Sequence, residues 1–224
     1  MTLEASGHLA ARVPRSLLDA QGAVGPTPDE DGCLAVALDW AEGRITSIVP
    51  LDSDRTAAPL PLVLTPLVEP HAHLDKVFTA SAFPNREGTM QAALAANRRE
   101  WTARTAEQVL ERGERALELA WRQGVRAIRS HLDGGGPVAR PSWEALRQLQ
   151  QRWRGRVELQ LVLLAPLQFW STPEGERQAR ELAATGGWIG GVLGPPYRFN
   201  AAVPQQLLQL LRLAERLGAG VDLH

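Results

Sequence analysis

Cysteine is almost missing: Cys33 is the single one in 224 residues. That excludes an internal disulfide and a thiolate metal cluster, and a thiol among apolar neighbours reads as a small buried hydrophobe. Long apolar runs are missing too. Nothing approaches the ~20 residues a bilayer-spanning helix needs. The opening stretch MTLEASGHLAARVPRSLL carries acid early and has no signal-peptide core. Charge of one sign is absent, with 24 Lys+Arg against 25 Asp+Glu and a net charge of −1. No global field therefore recommends nucleic acid or a membrane surface as partner. A cytoplasmic protein is the expectation. Lysine is nearly absent as well, Lys76 being the only one. Gly134-Gly135-Gly136 lacks the spacing of a nucleotide-binding fingerprint and has no helix opening directly on it.

What is present is ordinary globular material, 44% hydrophobic and 22% charged, long enough for one α/β barrel or a domain with an appendage. Two apolar runs, 34–40 and 44–50, flank Ala-Glu-Gly and predict a β-hairpin. Residues 25–32 read as a polar loop and 52–61 as a polar connection. From Leu62 the pattern changes. Strands are expected at 63–69, 125–131, 157–165, 188–193 and 220–224, and helices at 105–122, 143–153, 173–184 and 204–217. Strand–helix–strand repetition means a parallel sheet with helical crossovers. The expected fold class is α/β, an incomplete (β/α) TIM-type barrel of about five strands over 63–224, preceded by a β-rich region over 1–62.

His71 and His73 close the first of these strands. Alternation points both side chains to one side, and in a barrel the active site is built at the strands' C-terminal ends. Two neutral imidazoles there form half of a first-row metal site. His-x-His spacing alone favours two polar residues leaving a strand on a surface loop, but its place at the end of an apolar strand, after a proline and before further βα units, reverses that in favour of the metal reading.

The run Val68-Glu69-Pro70-His71-Ala72-His73-Leu74-Asp75-Lys76 resembles the first-strand signature of cytosine-deaminase-like members of the amidohydrolase superfamily. Arg129-Ser130-His131-Leu132-Asp133 and Val221-Asp222-Leu223-His224 extend the resemblance. The family implies that His71, His73 and His224 are metal ligands. It implies a β-sandwich role for the N-terminal region, and one divalent ion, zinc or iron, since no lysine stands where binuclear relatives bridge two. A small heterocyclic substrate is implied, with hydrolysis of a C–N bond by activated water, as in a deaminase of a pyrimidine-like cyclic amidine. Gln168 and His131 are the candidate substrate contacts, although a leucine separates Gln168 from the proline it would directly follow. Asp133, Asp75, Lys76, Tyr197 and Arg198 are further candidates. Phe169 and Trp170 read either as a stacking wall or as plain packing.

The family's general acid and base residues fall beyond His224, so no catalytic residue is assigned. Five strands where a barrel has eight lead us to expect a fragment, a split enzyme completed by another chain, or an inactive remnant that still binds metal or ligand; an unrelated α/β domain in which His-x-His is coincidence stays open beside them. No cytosine turnover is expected from the chain alone, together with a tendency to associate with a complementing chain or with itself.

Overall fold

A computed structural model describes residues 6–18, 27–51, 59–134, 138–194, 197 and 199–224. The chain divides into two compact units, Met1–Pro66 and Leu67–His224. The loop expected at 25–32 lies partly, and the connection at 52–61 mostly, outside the described residues. Arg198 lies outside them too.

The first unit is an antiparallel sheet of β1 (Ser6–Pro14), β2 (Cys33–Ala41) and β3 (Arg44–Pro50), in that order. Alternation sends Ala11, Val13, Leu34, Val36 and Leu38 to one buried face. The expected hairpin is β2–β3. Its turn residues Glu42 and Gly43 both have positive φ, 52° and 74°, the geometry that matches strand twist in a two-residue hairpin loop. Strand β1 had no sequence signal of its own: Gly7, His8 and Arg12 interrupt its apolar pattern. Arg12 instead turns to the aspartates, donating from Nε to Asp29 at 2.8 Å and reaching Asp31 at 2.5 Å.

The second unit is a five-stranded parallel sheet, β4 (Leu67–Ala72), β5 (Val125–Asp133), β6 (Glu158–Pro166), β7 (Trp188–Val192) and β8 (Val221–Leu223), with neighbours in sequence order. Two helices, α1 (Met90–Ala103) and α2 (Ala106–Arg122), lie between β4 and β5. The later crossovers use α3 (Ala139–Arg152), α4 (Pro173–Ala183) and α5 (Val203–Leu217). Thr105 caps α2 through a capping box with Gln108, which satisfies donors that the first turn leaves open. The helices pack Val109, Leu117, Leu146, Leu149, Leu182 and Leu210 against Leu159, Leu161 and Ile189 of the strands.

The sheet is strongly curled. Flat, four inter-strand steps of ~4.8 Å would hold β4 and β8 about 19 Å apart. Yet Arg129 on β5 reaches Asp222 on β8 at 2.9 Å, and side chains leaving β4 and β8 touch. This is the incomplete TIM-type barrel expected from the sequence, carrying five of the eight strands of a closed one.

Two details differ from expectation. The first parallel strand starts at Leu67, not Val63, because Val63 and Leu62 are engaged with β1. The Val63 N–H donates to the Arg12 carbonyl at 2.8 Å, and Leu62 forms a bridge with Arg12. Helix α3 begins at Ala139, four residues early, since Pro141 is tolerated in a first turn that has no carbonyl to offer its missing N–H. Helix α1 carried no expectation at all.

Candidate functional site

The shift of β4 places His71 in the strand and His73 immediately after it. Pro70 fits there because β4 is an edge strand of the described sheet, where a missing donor is tolerated. At the far edge, the His224 N–H donates to the Gly191 carbonyl at 2.7 Å, which carries the β7–β8 pairing onto His224 and fixes its backbone.

Curling brings these imidazoles together. The Nε2 atoms of His71 and His73 are 3.4 Å apart, and those of His71 and His224 are 3.1 Å apart. The three residues' donor atoms all lie within 4.8 Å of one another. Nitrogen ligands at ~2.05 Å in a tetrahedral shell sit about 3.3 Å from each other, so the spacing fits a single first-row ion. His73 Nδ1 lies 2.9 Å from the His131 carbonyl oxygen. That contact makes Nδ1 the donor and leaves the lone pair on Nε2, the orientation that metal-binding histidines require.

Burial pushes the His73 pKa down to about 4, with the charge of Lys76 adding to the effect. Burial also lowers His131 and His224. Neutral imidazoles near pH 7 are the ligating state.

His131 sits behind the cluster, 1% exposed, its ring centroid 4.6 Å from His71 and 4.4 Å from His224. Its Nε2 is 3.2 Å from Asp222 Oδ1, but off the hydrogen-bonding direction, and neither ring nitrogen has an aligned partner. His131, Asp222 and His224 form a second grouping of possible ligands. It is the poorer one, because Arg129 already neutralises the Asp222 carboxylate at 2.9 Å.

Below the histidines lies a buried charge network. Arg104, 1% exposed at its side chain, contacts Glu100 at 2.5 Å, Asp75 at 2.9 Å and Asp133 at 3.4 Å. Arg112 joins Glu100 at 2.7 Å and also donates to the Asp75 carbonyl. Lys76 grips both oxygens of Asp133, at 2.8 and 2.9 Å, and the Trp101 indole donates to it at 3.0 Å. Burial alone would raise the Asp133 pKa. Lys76, with Trp101 and Arg104, outweighs burial and holds it at about 2. Through these contacts Asp75 and Lys76 brace the loop after β4.

The histidines open into a cavity of about 760 Å³, walled on one side by Met90, Leu94, Asn97, Arg98 and Trp101 of α1. His131, Asp133 and Tyr197 line it as well. Gln168 does not. It is exposed in the turn after β6 and lines a separate cavity of about 350 Å³ with Tyr197 and Gln206. Trp170 is 2% exposed and donates to the Gly190 carbonyl at 2.9 Å, so it packs the barrel wall. Sequence reasoning missed α1 entirely. The one available signal was the i, i+4, i+8 spacing of Met90, Leu94 and Arg98 after Thr89, whose side chain accepts the Ala92 N–H at 3.1 Å.

The second unit is an incomplete (β/α) barrel with three imidazoles converging at the C-terminal ends of its strands, a grouping that could hold a metal ion. No family model matches the sequence. A pterin deaminase from Rhizobium rhizogenes (strain K84 / ATCC BAA-868) is 30% identical over 207 residues, 88% of this chain and 46% of that protein. Crystalline 5-methylcytosine deaminase from Klebsiella pneumoniae, liganded with 5-fluorocytosine, superposes with a TM-score of 0.75 at 24% identity, over 97% of this chain and 51% of its own. N-isopropylammelide isopropylaminohydrolase from Burkholderia multivorans ATCC 17616 gives 0.62 at 26%, over 85% and 49%. The chain spans about half the length of the proteins it matches. The resemblance to the N-terminal part of cytosine-deaminase-like amidohydrolases is therefore borne out. No helix among the described residues is long and apolar enough to cross a membrane.

Proposed function

We propose that this chain is the N-terminal portion of a mononuclear metal-dependent amidohydrolase that deaminates a small amino-substituted heterocycle, of the pterin or pyrimidine kind. The observation that carries the reading is the convergence of the His71, His73 and His224 Nε2 atoms, with neighbouring contacts of 3.4 and 3.1 Å, at the C-terminal end of a curled parallel sheet. These three residues would hold one divalent ion, zinc or iron. Both accept imidazole, and the donor set does not separate them. Such an ion supplies Lewis acidity and lowers the pKa of water for attack on a C–N carbon.

The rest of the work belongs to the chain's own residues. The His131 carbonyl fixes the tautomer of His73. Asp222, anchored by Arg129, packs against the rings of His131 and His224 and restricts their rotation. The apolar wall of α1 would cover the flat face of a ring and keep bulk water from it. His131, buried at the cavity wall with no aligned hydrogen-bond partner on Nδ1 among the described residues, is the candidate polar contact to the ring. Gln168, facing a different cavity, is a weaker one. In this reading the first unit contributes to the small β-sandwich that accompanies such barrels, and the partner is a small-molecule heterocycle.

The test is calorimetric binding of pterin and of cytosine to zinc-loaded and chelator-treated protein. Binding of either ring that needs the metal and disappears in His71→Ala supports the proposal. Failure of both rings to bind, or binding indifferent to the metal, overturns it.

A further inference from the structure

Four residues lining the histidine cavity carry full charges: Lys76, Arg98, Asp133 and Asp222. Three of them are neutralised in place. Lys76 and Asp133 hold each other at 2.8 Å, and Asp222 is held by Arg129 at 2.9 Å. Arg98 is different. It lies exposed on α1, on the face that carries Leu94 and Trp101, and it has no ion pair, hydrogen bond or ring contact among the described residues.

A guanidinium left unpaired beside an otherwise neutralised, mostly apolar cavity is a ready anchor for an anion. Its planar donor fork matches the paired oxygens of a carboxylate or phosphate. The helix spacing adds a geometric point. Leu94, Arg98 and Trp101 stand at i, i+4 and i+7, so a flat ring resting on Leu94 and Trp101 would present its periphery to Arg98. The Trp101 indole is itself pinned by Asp133 at 3.0 Å, which makes that wall rigid.

We infer that Arg98 is a specificity-determining residue that selects heterocycles bearing an anionic oxygen substituent over the bare ring. The inference rests on the heterocycle reading above and deepens it. The carboxylate and phosphate cases share one chemistry, oxygen acceptors for a guanidinium.

Three probes test it on the zinc-loaded protein by calorimetry at low ionic strength: pterin, a pterin with a ring carboxylate, and a pterin with a phosphomonoester arm. At least one anionic probe should bind about tenfold more tightly than pterin, a difference typical of one charge-assisted contact. The tighter of the two anions identifies the substituent. In Arg98→Gln the ratio of anionic to neutral affinity should fall to about one. In Arg98→Lys it should stay between the two, because a point charge replaces the fork. Raising the salt should shrink the ratio in the wild type and leave it flat in Arg98→Gln. If pterin binds but neither anion gains, or if the gain survives Arg98→Gln, the inference is overturned and the heterocycle reading stands. If no probe binds, both fall together.

Discussion

Replacing Arg104 by methionine isolates what the buried charge network contributes. Methionine roughly fills the space of the arginine stem, so the change is chiefly one of charge. Glu100 would keep Arg112 at 2.7 Å, and Asp133 would keep Lys76 at 2.8 Å. Asp75 would lose the one cationic side chain it pairs with. It is 0% exposed, its Oδ1 already lacks a hydrogen-bond partner, and only the Asp133 N–H, at 3.4 Å, would remain on Oδ2. Stranding one partner of a buried pair costs about 3–5 kcal/mol. A single domain has only about 5–15 kcal/mol of stability to lose. With a urea m-value of ~2 kcal/mol/M, the unfolding midpoint should fall by about 1.5–2.5 M at pH 7. Far-UV circular dichroism against urea measures it. Arg140→Met, at an exposed pair with Glu144, should leave the midpoint where it is. Adding Asp75→Asn to Arg104→Met should recover much of the loss, because the stranded group is then neutral. A shift below about 0.5 M, or a double variant no better than the single, would refute the assignment of the cost to an unpaired Asp75.

Asp133, held at about 2 against 3.8 in a free chain, binds its proton less readily when folded. Its contribution is therefore complete above about pH 4 and is lost as the pH falls toward 2. Asp133→Asn should flatten that stretch of the acid denaturation curve, and an unchanged curve would contradict the shift. Thr105→Ala removes the side-chain half of the α2 capping box and should lower stability by about 1 kcal/mol in the same urea assay, with Thr105→Ser nearly neutral. Gly190→Ala places a Cβ 2.6 Å from Leu164 Cδ2 and 2.9 Å from the Leu163 carbonyl oxygen. Overpacking of this kind should destabilise by about 1–3 kcal/mol, seen as a lower melting temperature.

The parallel sheet was legible because β5, β6 and β7 are each β-prone runs followed by a helix with an apolar stripe, and β8 follows the last of these helices, so pattern and burial agree. The site was legible in part, for a narrower reason. His71 and His73 sit two apart, and period-two alternation puts them on one side whatever else the chain does. Nothing local announces that His224 meets them. The 3.1 Å contact is created by sheet curvature across a sequence separation of 153, and here it came from the family resemblance. The start of β4 was misplaced because Val63 is as β-prone as Val68, and only tertiary pairing with Arg12 decides between them. Helix α1 escaped notice because its apolar face is interrupted by Asn97 and Arg98, the polar residues that line the cavity. A wall that must meet a ligand is a poor amphipathic helix. Nothing local in the sequence sets Arg104 and Glu100 apart from solvated helix charges, and their burial is a product of the fold.

The central claim, that His71, His73 and His224 converge to hold one divalent ion, is tested most directly by zinc titration of the chelator-stripped protein against a competing chromophoric chelator. One equivalent should bind tightly, and His71→Ala, His73→Ala and His224→Ala should each weaken it by at least a hundredfold, while His8→Ala leaves it intact. Stoichiometry and affinity that are the same in all three variants as in the wild type would contradict it.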